Sequence, residues 1–153
     1  MSAVNQATRN EEALRRAVEE LGNKRNAAVV DELFAPNYVE HQLWHQPHTP
    51  RIMEGKSVVE GIKASLAKDD PNFENLHTTI DQMISVGDKV VAVCTETFTR
   101  NGKQISRTSM EIDRFEDGRF VESWYLWDRL GMYQQLGVVP STPELIEQAG
   151  LDM

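Results

Sequence analysis

The sequence predicts an α+β domain, a curved antiparallel sheet folded around three N-terminal helices with a cavity between the two layers. Three observations carry this. Apolar residues in the first third of the chain recur at helical spacing and are punctuated by stop signals. From Leu76 onward the pattern changes to the two-residue alternation of strands. Gly87-Asp88, Asn101-Gly102 and Asp117-Gly118 divide the strand region, and such short turns make successive strands antiparallel neighbours.

In order, residues 1–9 read as a loose, flexible tail. Leu14, Ala17, Val18 and Leu21 fall at i, i+3, i+4 and i+7, which predicts a first helix over residues 10–21. Glu11 and Glu12 complement the positive end of its dipole, and Gly22-Asn23 stops it. Asn26 is placed to cap a shorter second helix with the stripe Val30, Leu33 and Phe34, ending at Pro36. Residues 42–56 contain two prolines and no clean period, so a loop is expected. Val58, Val59, Ile62 and Leu66 give a third helix over residues 57–67, broken by Asp69-Asp70-Pro71-Asn72. Four strands follow, starting near Leu76, Lys89, Ile105 and Phe120. Residues 10–140 then form one domain and residues 141–153 a C-terminal tail.

At 153 residues, the chain is long enough to bury about two thirds of its unfolded surface, including a core and a small cavity. A net charge of −8 repels phosphate backbones, so nucleic acid is not an expected partner, and it weighs against an anionic substrate. No run approaches the roughly eighteen apolar residues of a membrane span. The start lacks the apolar run of a signal peptide. No membrane association is expected, and cytoplasm is the default location. The single cysteine, Cys94, has no internal disulfide partner and reads as a small core residue.

The most informative stretch is DGRFVESWYLWDRLGMYQQLG, residues 117–137. If no bulge intervenes, Phe120, Glu122, Trp124, Leu126 and Asp128 share one face of its strand, and Val121, Ser123, Tyr125 and Trp127 the other. Asp128 is then a carboxylate in line with apolar side chains. It lies either at a solvated strand end or in the wall of an apolar pocket, where desolvation would raise its pKa into a range useful for proton transfer.

The ending W-x-x-x-D-x-x-G-x-x-x-Q-L-G (Trp124, Asp128, Gly131, Gln135, Leu136, Gly137) resembles the SnoaL-like polyketide cyclases, part of the cone-shaped α+β superfamily named after nuclear transport factor two. RFEDGRFVE, FAPNYVEH and SVGDKVV resemble the same family. The resemblance implies a cone-shaped sheet whose short first strand covers residues 38–41, and an intramolecular aldol ring closure by acid/base catalysis. It implies no metal and no organic cofactor, and a homodimer formed through the open sheet face. Asp128 matches the family's acid/base aspartate, and His41 a pocket-lining position suited to orienting a carbonyl. Tyr38, Trp124, Ser109 and Glu111 are further pocket candidates, and Trp44 a lid candidate. Glu111 either couples to Asp128 or pairs with a surface arginine. Tyr125 and Trp127 fit the dimer patch. The hairpin Arg100-Asn101-Gly102-Lys103 is tighter than in many members, so the rim is expected to be more open or built by the His-rich loop.

His41, His45 and His48 show the spacing H-x₃-H-x₂-H. Pro47 and Pro50 exclude a regular helix presenting all three, and no carboxylate or cysteine partner is evident, so no metal site is expected. Three function classes fit the sequence. The first is a cyclase-type enzyme acting on a small apolar or polycyclic carbonyl compound. The second is another enzyme on the same scaffold, such as an epoxide hydrolase, a hydroxylation partner or an isomerase. The third is a non-catalytic ligand-binding domain.

Overall fold

The structure, a computed structural model, describes residues 3–46 and 49–151. The chain forms α1 (Ala3–Ala17), a π-helical turn (Val18–Asn23), a 3₁₀ turn (Ala27–Val29), α2 (Val30–Leu33), β1 (Phe34–Gln46), β2 (Thr49–Glu54) and α3 (Lys56–Leu66). It continues through β3 (Glu74–Val86), β4 (Lys89–Arg100), β5 (Lys103–Glu116), β6 (Arg119–Trp127), α4 (Arg129–Leu136) and α5 (Thr142–Ala149). The α+β class is as expected, with one curved, unclosed six-stranded sheet in the order β2-β1-β6-β5-β4-β3. The meander β3 to β6 is antiparallel throughout. Its last two turns put Asn101, Gly102, Asp117 and Gly118 at φ of 52°, 73°, 51° and 76°, the pairs of left-handed residues a tight hairpin requires.

Three local expectations change. Residues 42–56 are mostly strand, because β1 runs on to Gln46 and pairs antiparallel with β2. Pro50 is tolerated because β2 is the edge strand, where a missing N–H need not break the ladder. Residues 3–9, expected as a tail, form the first turns of α1, and Arg9 donates to the Asp117 carbonyl at 2.9 Å. Residues 142–149, also expected as a tail, are helical behind a capping box in which Ser141 and Glu144 bond reciprocally.

Leu14 and Ala17 of α1, Val30 and Leu33 of α2, and Val58 and Val59 of α3 pack on the inner face of the sheet against Phe34, Val90, Ala92, Phe115 and Phe120. A smaller cluster of Phe98, Ile105 and Met132 closes the α4 end. Asn23 pins the π-helical turn to β3, donating to the Thr78 carbonyl at 3.2 Å and accepting from its N–H at 2.7 Å.

One irregularity positions everything that follows. In the β5–β6 pair, Arg114 faces Glu122 while Phe115 faces Phe120. The additional residue, Val121, is a β-bulge. It inverts the side-chain alternation after Phe120. Tyr125 and Trp127 therefore point inward with Phe120, and Glu122, Trp124 and Leu126 point outward.

Candidate active site

The inner face of the three central strands is apolar at its ends and polar in its middle. On β4 the inward residues Val90, Ala92, Cys94, Glu96 and Phe98 stand opposite Asp113, Glu111, Ser109, Arg107 and Ile105 of β5. Across β6, Ser123, Tyr125 and Trp127 face Asp113, Glu111 and Ser109. Between this polar middle and Leu14, Ala17, Val18 and Leu21 lies a cavity of about 190 Å³. Val18, Leu21, Gly22 and Thr78 line it while keeping partial exposure, and mark its mouth.

Two carboxyl groups two residues apart on β5 dominate its chemistry. Asp113 is wholly buried. One of its oxygens accepts the Ser123 hydroxyl at 2.5 Å and the other has no hydrogen-bond partner among the described residues. Burial pushes it up to about 7. Glu111 lines the cavity, and the Cys94 thiol donates to its Oε1 at 4.0 Å. Burial first, then the neighbouring Asp113 and Glu96 charges, raise it well above the ordinary carboxylate range. Both carboxyls are thus shifted toward the range useful for acid/base work near neutral pH, and Glu111 faces the cavity. Tyr38 and Tyr125 adjoin the pair. Burial keeps both phenols protonated, and the Tyr38 hydroxyl lies against Ser123 and Tyr125 without a well-formed hydrogen bond to either.

Glu96, at the other end of the polar middle, accepts from Arg107 Nε at 2.5 Å. The buried guanidinium lies 5.2 Å from the Phe73 ring, 5.3 Å from Phe98 and 4.5 Å from Trp127. Arg107 is therefore enclosed by π faces that stabilise a cation.

Asp128 is not in this cavity. It is exposed, follows β6 and caps α4, its Oδ1 accepting the Gly131 N–H at 2.8 Å. It borders an open surface groove with Met110, Leu126 and Leu130. A Cβ on residue 131 would stand 2.1 Å from an Asp128 oxygen, so the D-x-x-G spacing is required by the cap itself. Gln135 of the same motif exchanges two hydrogen bonds with the Ser106 backbone, at 3.0 and 2.7 Å. The ending that made the sequence recognisable therefore seats α4 on β5.

His41 and Trp124 are corrected likewise. They are register partners on β1 and β6, facing outward, with rings stacked at 4.9 Å. His41 Nε2 is 2.9 Å from Glu122, which also accepts from Arg114 at 3.1 Å. Burial pushes Glu122 up, but these two hydrogen bonds outweigh it and leave the carboxyl lowered. Glu111 neighbours Asp113, not Asp128. Ser109 lines the cavity and Tyr38 is buried behind it. The side chains of Trp44 and His45, and all of His48, lie outside the described residues. Among the described residues no group of three or more His, Cys, Asp or Glu is arranged to hold a metal ion, and no helix is long and apolar enough to cross a membrane. Tyr125 and Trp127, expected in a dimer patch, face the cavity. The outer face instead exposes Leu43, Ile52, Met110, Ile112 and Leu126.

Asp113, Glu96, Arg107 and Tyr125 were not among the site residues expected from sequence. Their signal is the alternation Arg107, Ser109, Glu111, Asp113 on a strand whose same-face flanks, Ile105 and Phe115, are apolar.

The family model of the SnoaL-like polyketide cyclases matches residues 12–136. No match was found among curated proteins. Among solved structures, the chain is similar to a proposed polyketide cyclase from Bacillus cereus, with 28% identity over 87% of this chain and 83% of the other and a TM-score of 0.71. It is similar to a loop-truncation variant of IdmH, a Streptomyces antibioticus protein, with 26% identity over 84% of this chain and 99% of the other and a TM-score of 0.67. AclR, a proposed hydroxylase from Streptomyces galilaeus, shares the fold at 18% identity over 94% and 90% of the two chains and a TM-score of 0.72.

Proposed function

The chain belongs to the SnoaL-like polyketide cyclase family, and from that membership we propose that it is a cofactor-independent acid/base enzyme closing a ring by intramolecular aldol addition, with Glu111 as the group that moves the proton. The observation that carries this reading is the Glu111 carboxyl, open to the cavity and set beside the buried Asp113. Glu111 takes the proton from a carbon next to one carbonyl. That carbon bonds to the second carbonyl carbon, and the resulting alkoxide takes a proton back from Glu111. Substrate and product are isomers, and the group ends as it began. Asp113 does not touch the substrate in this scheme. It is a positioning residue that makes Glu111 a stronger base. The enclosure holds both ends of one chain together, which supplies proximity.

The test compares three variants on heptane-2,6-dione, with ring closure followed by NMR. Glu111→Gln is expected to lose about a hundredfold or more in kcat/KM. Asp128→Asn, which keeps an acceptor for the Gly131 N–H, is expected to stay near wild type. Asp128→Ala is expected to lose about 1 kcal/mol of stability, from the missing cap, with little change in rate. Full activity in Glu111→Gln together with a dead Asp128→Asn would move the chemistry to the α4 end and sink this assignment.

The same reading places a second copy of the chain against the outer sheet face. Leu43, Ile52, Met110, Ile112 and Leu126, all exposed, support it, since apolar side chains gathered on one face mark contact surfaces. Light scattering is expected to give a dimer mass for the wild type and a monomer mass for Ile112→Glu. A monomeric wild type would contradict this.

A further inference from the structure

The cavity is small for a polyketide enzyme. Sites for drug-sized ligands run from roughly 300 to 1,000 Å³, and this one holds about 190 Å³. An engineered cavity of about 150 Å³ takes up benzene. One ring with two or three substituents fills the space here, and a fused tricycle exceeds it. The walls cannot retreat cheaply. Leu14 and Ala17 are 2% and 8% exposed and belong to the main core, and the π-helical turn at the mouth is held to β3 by both Asn23 bonds.

The charges are equally restrictive. Glu96 and Glu111 line the cavity and Asp113 lies behind it. Arg107, which faces inward beside them, is committed to Glu96 and enclosed by Phe73, Phe98 and Trp127. A carboxylate or phosphate ligand would enter next to carboxyl groups with no cation left among the described lining residues to receive it. An uncharged carbonyl oxygen, by contrast, finds hydroxyl hydrogens on Ser109 and Tyr125.

We propose that the ligand of this cavity is an uncharged, compact dicarbonyl of about ten non-hydrogen atoms that closes to a single six-membered ring, and not a polycyclic or anionic compound. The proposal rests on the acid/base reading for the word dicarbonyl. Its size and charge limits rest on the cavity alone. A reaction that releases short, free diketones must therefore supply the substrate.

The experiment measures binding to the full chain by titration calorimetry, with the Trp127 indole resonance as reporter in the cavity wall. Four probes are used: 3-methylcyclohex-2-enone (neutral ring), benzoate (anion), benzylamine (cation) and anthrone (neutral tricycle). The enone is expected to bind and shift the Trp127 resonance. Benzoate and benzylamine are each expected to bind at least about tenfold more weakly: benzoate meets carboxyl groups and no free cation among the described lining residues, and benzylamine is matched only if Glu111 or Asp113 ionises, which burial opposes. Anthrone is expected to leave the Trp127 resonance unmoved. Ala17→Phe, which fills the cavity, is expected to abolish enone binding. If that variant fails to fold, the Trp127 shift in the unaltered chain still decides the matter. Anthrone shifting Trp127, or either ion binding as tightly as the enone, overturns the proposal. Enone binding without turnover of heptane-2,6-dione would sink the acid/base reading and leave the size and charge limits standing.

Discussion

Replacing Arg107 with alanine is expected to cost roughly 3–5 kcal/mol of folding stability and to lower the melting temperature by about 10 °C. The residue is 7% exposed, and its partner Glu96 is also largely enclosed, with 13% of its side chain accessible. Deleting one member of such a pair leaves the other as an unmatched charge in a poorly solvating environment. The guanidinium also fills space among Phe73, Phe98, Trp127 and Met132, so truncation opens a hole in the cluster that closes the α4 end. The double variant Arg107→Met/Glu96→Gln removes both charges and keeps most of the volume. It is expected to recover the greater part of the loss. Thermal and urea unfolding check both. A single variant within about 1 kcal/mol of wild type would show that the pair contributes little, as exposed ion pairs do.

Asp113→Asn is expected to become progressively more stable relative to wild type as the pH rises. In the folded chain burial lifts Asp113 to about 7, against 3.8 for the ordinary group. Below 3.8 both folded and unfolded wild type carry the proton, and the shift costs nothing. Between 3.8 and about 7 the unfolded chain has released a proton the folded chain keeps, so wild-type stability falls as pH rises. Above about 7 both states are ionised and the full cost is present. Asparagine does not titrate. The gap between variant and wild type should therefore move in the variant's favour by on the order of 2–4 kcal/mol between about pH 4 and about pH 8. The variant keeps an acceptor for the Ser123 hydroxyl but sets an amide where the second carboxylate oxygen has no partner among the described residues. That offset is the same at every pH. A gap that does not change with pH would mean that Asp113 titrates like an exposed carboxylate.

The fold was legible because its local signals agree with one another. Asn101-Gly102 and Asp117-Gly118 set the hairpins, and the apolar stripes of α1 and α3 face the core. Residues 42–56 misled because proline was read as excluding a strand, although an edge position admits it. The site was harder for a different reason. Alternation tells which residues share a face but not which face is inward, and on β5 both faces mix apolar and polar residues. One bulged residue, Val121, then exchanged the faces of β6. It drew attention to Trp124 and Asp128 and away from Tyr125, Glu111 and Asp113. The adjacent apolar pair Phe120-Val121 was the available warning, since strict alternation would send one of the two to the outer face, yet both are buried.

The sheet joins β1 to β6 in parallel, between strands from opposite ends of the chain. On a ribosome, β1 and its hairpin partner β2 emerge early, and the open edge of β1 has no strand to pair with until β6 has left the exit tunnel. The meander can assemble from nearest neighbours in the meantime, whereas this one seam must close a loop of most of the polypeptide. The amino-terminal hairpin is thus the segment that spends longest with its backbone unprotected during synthesis.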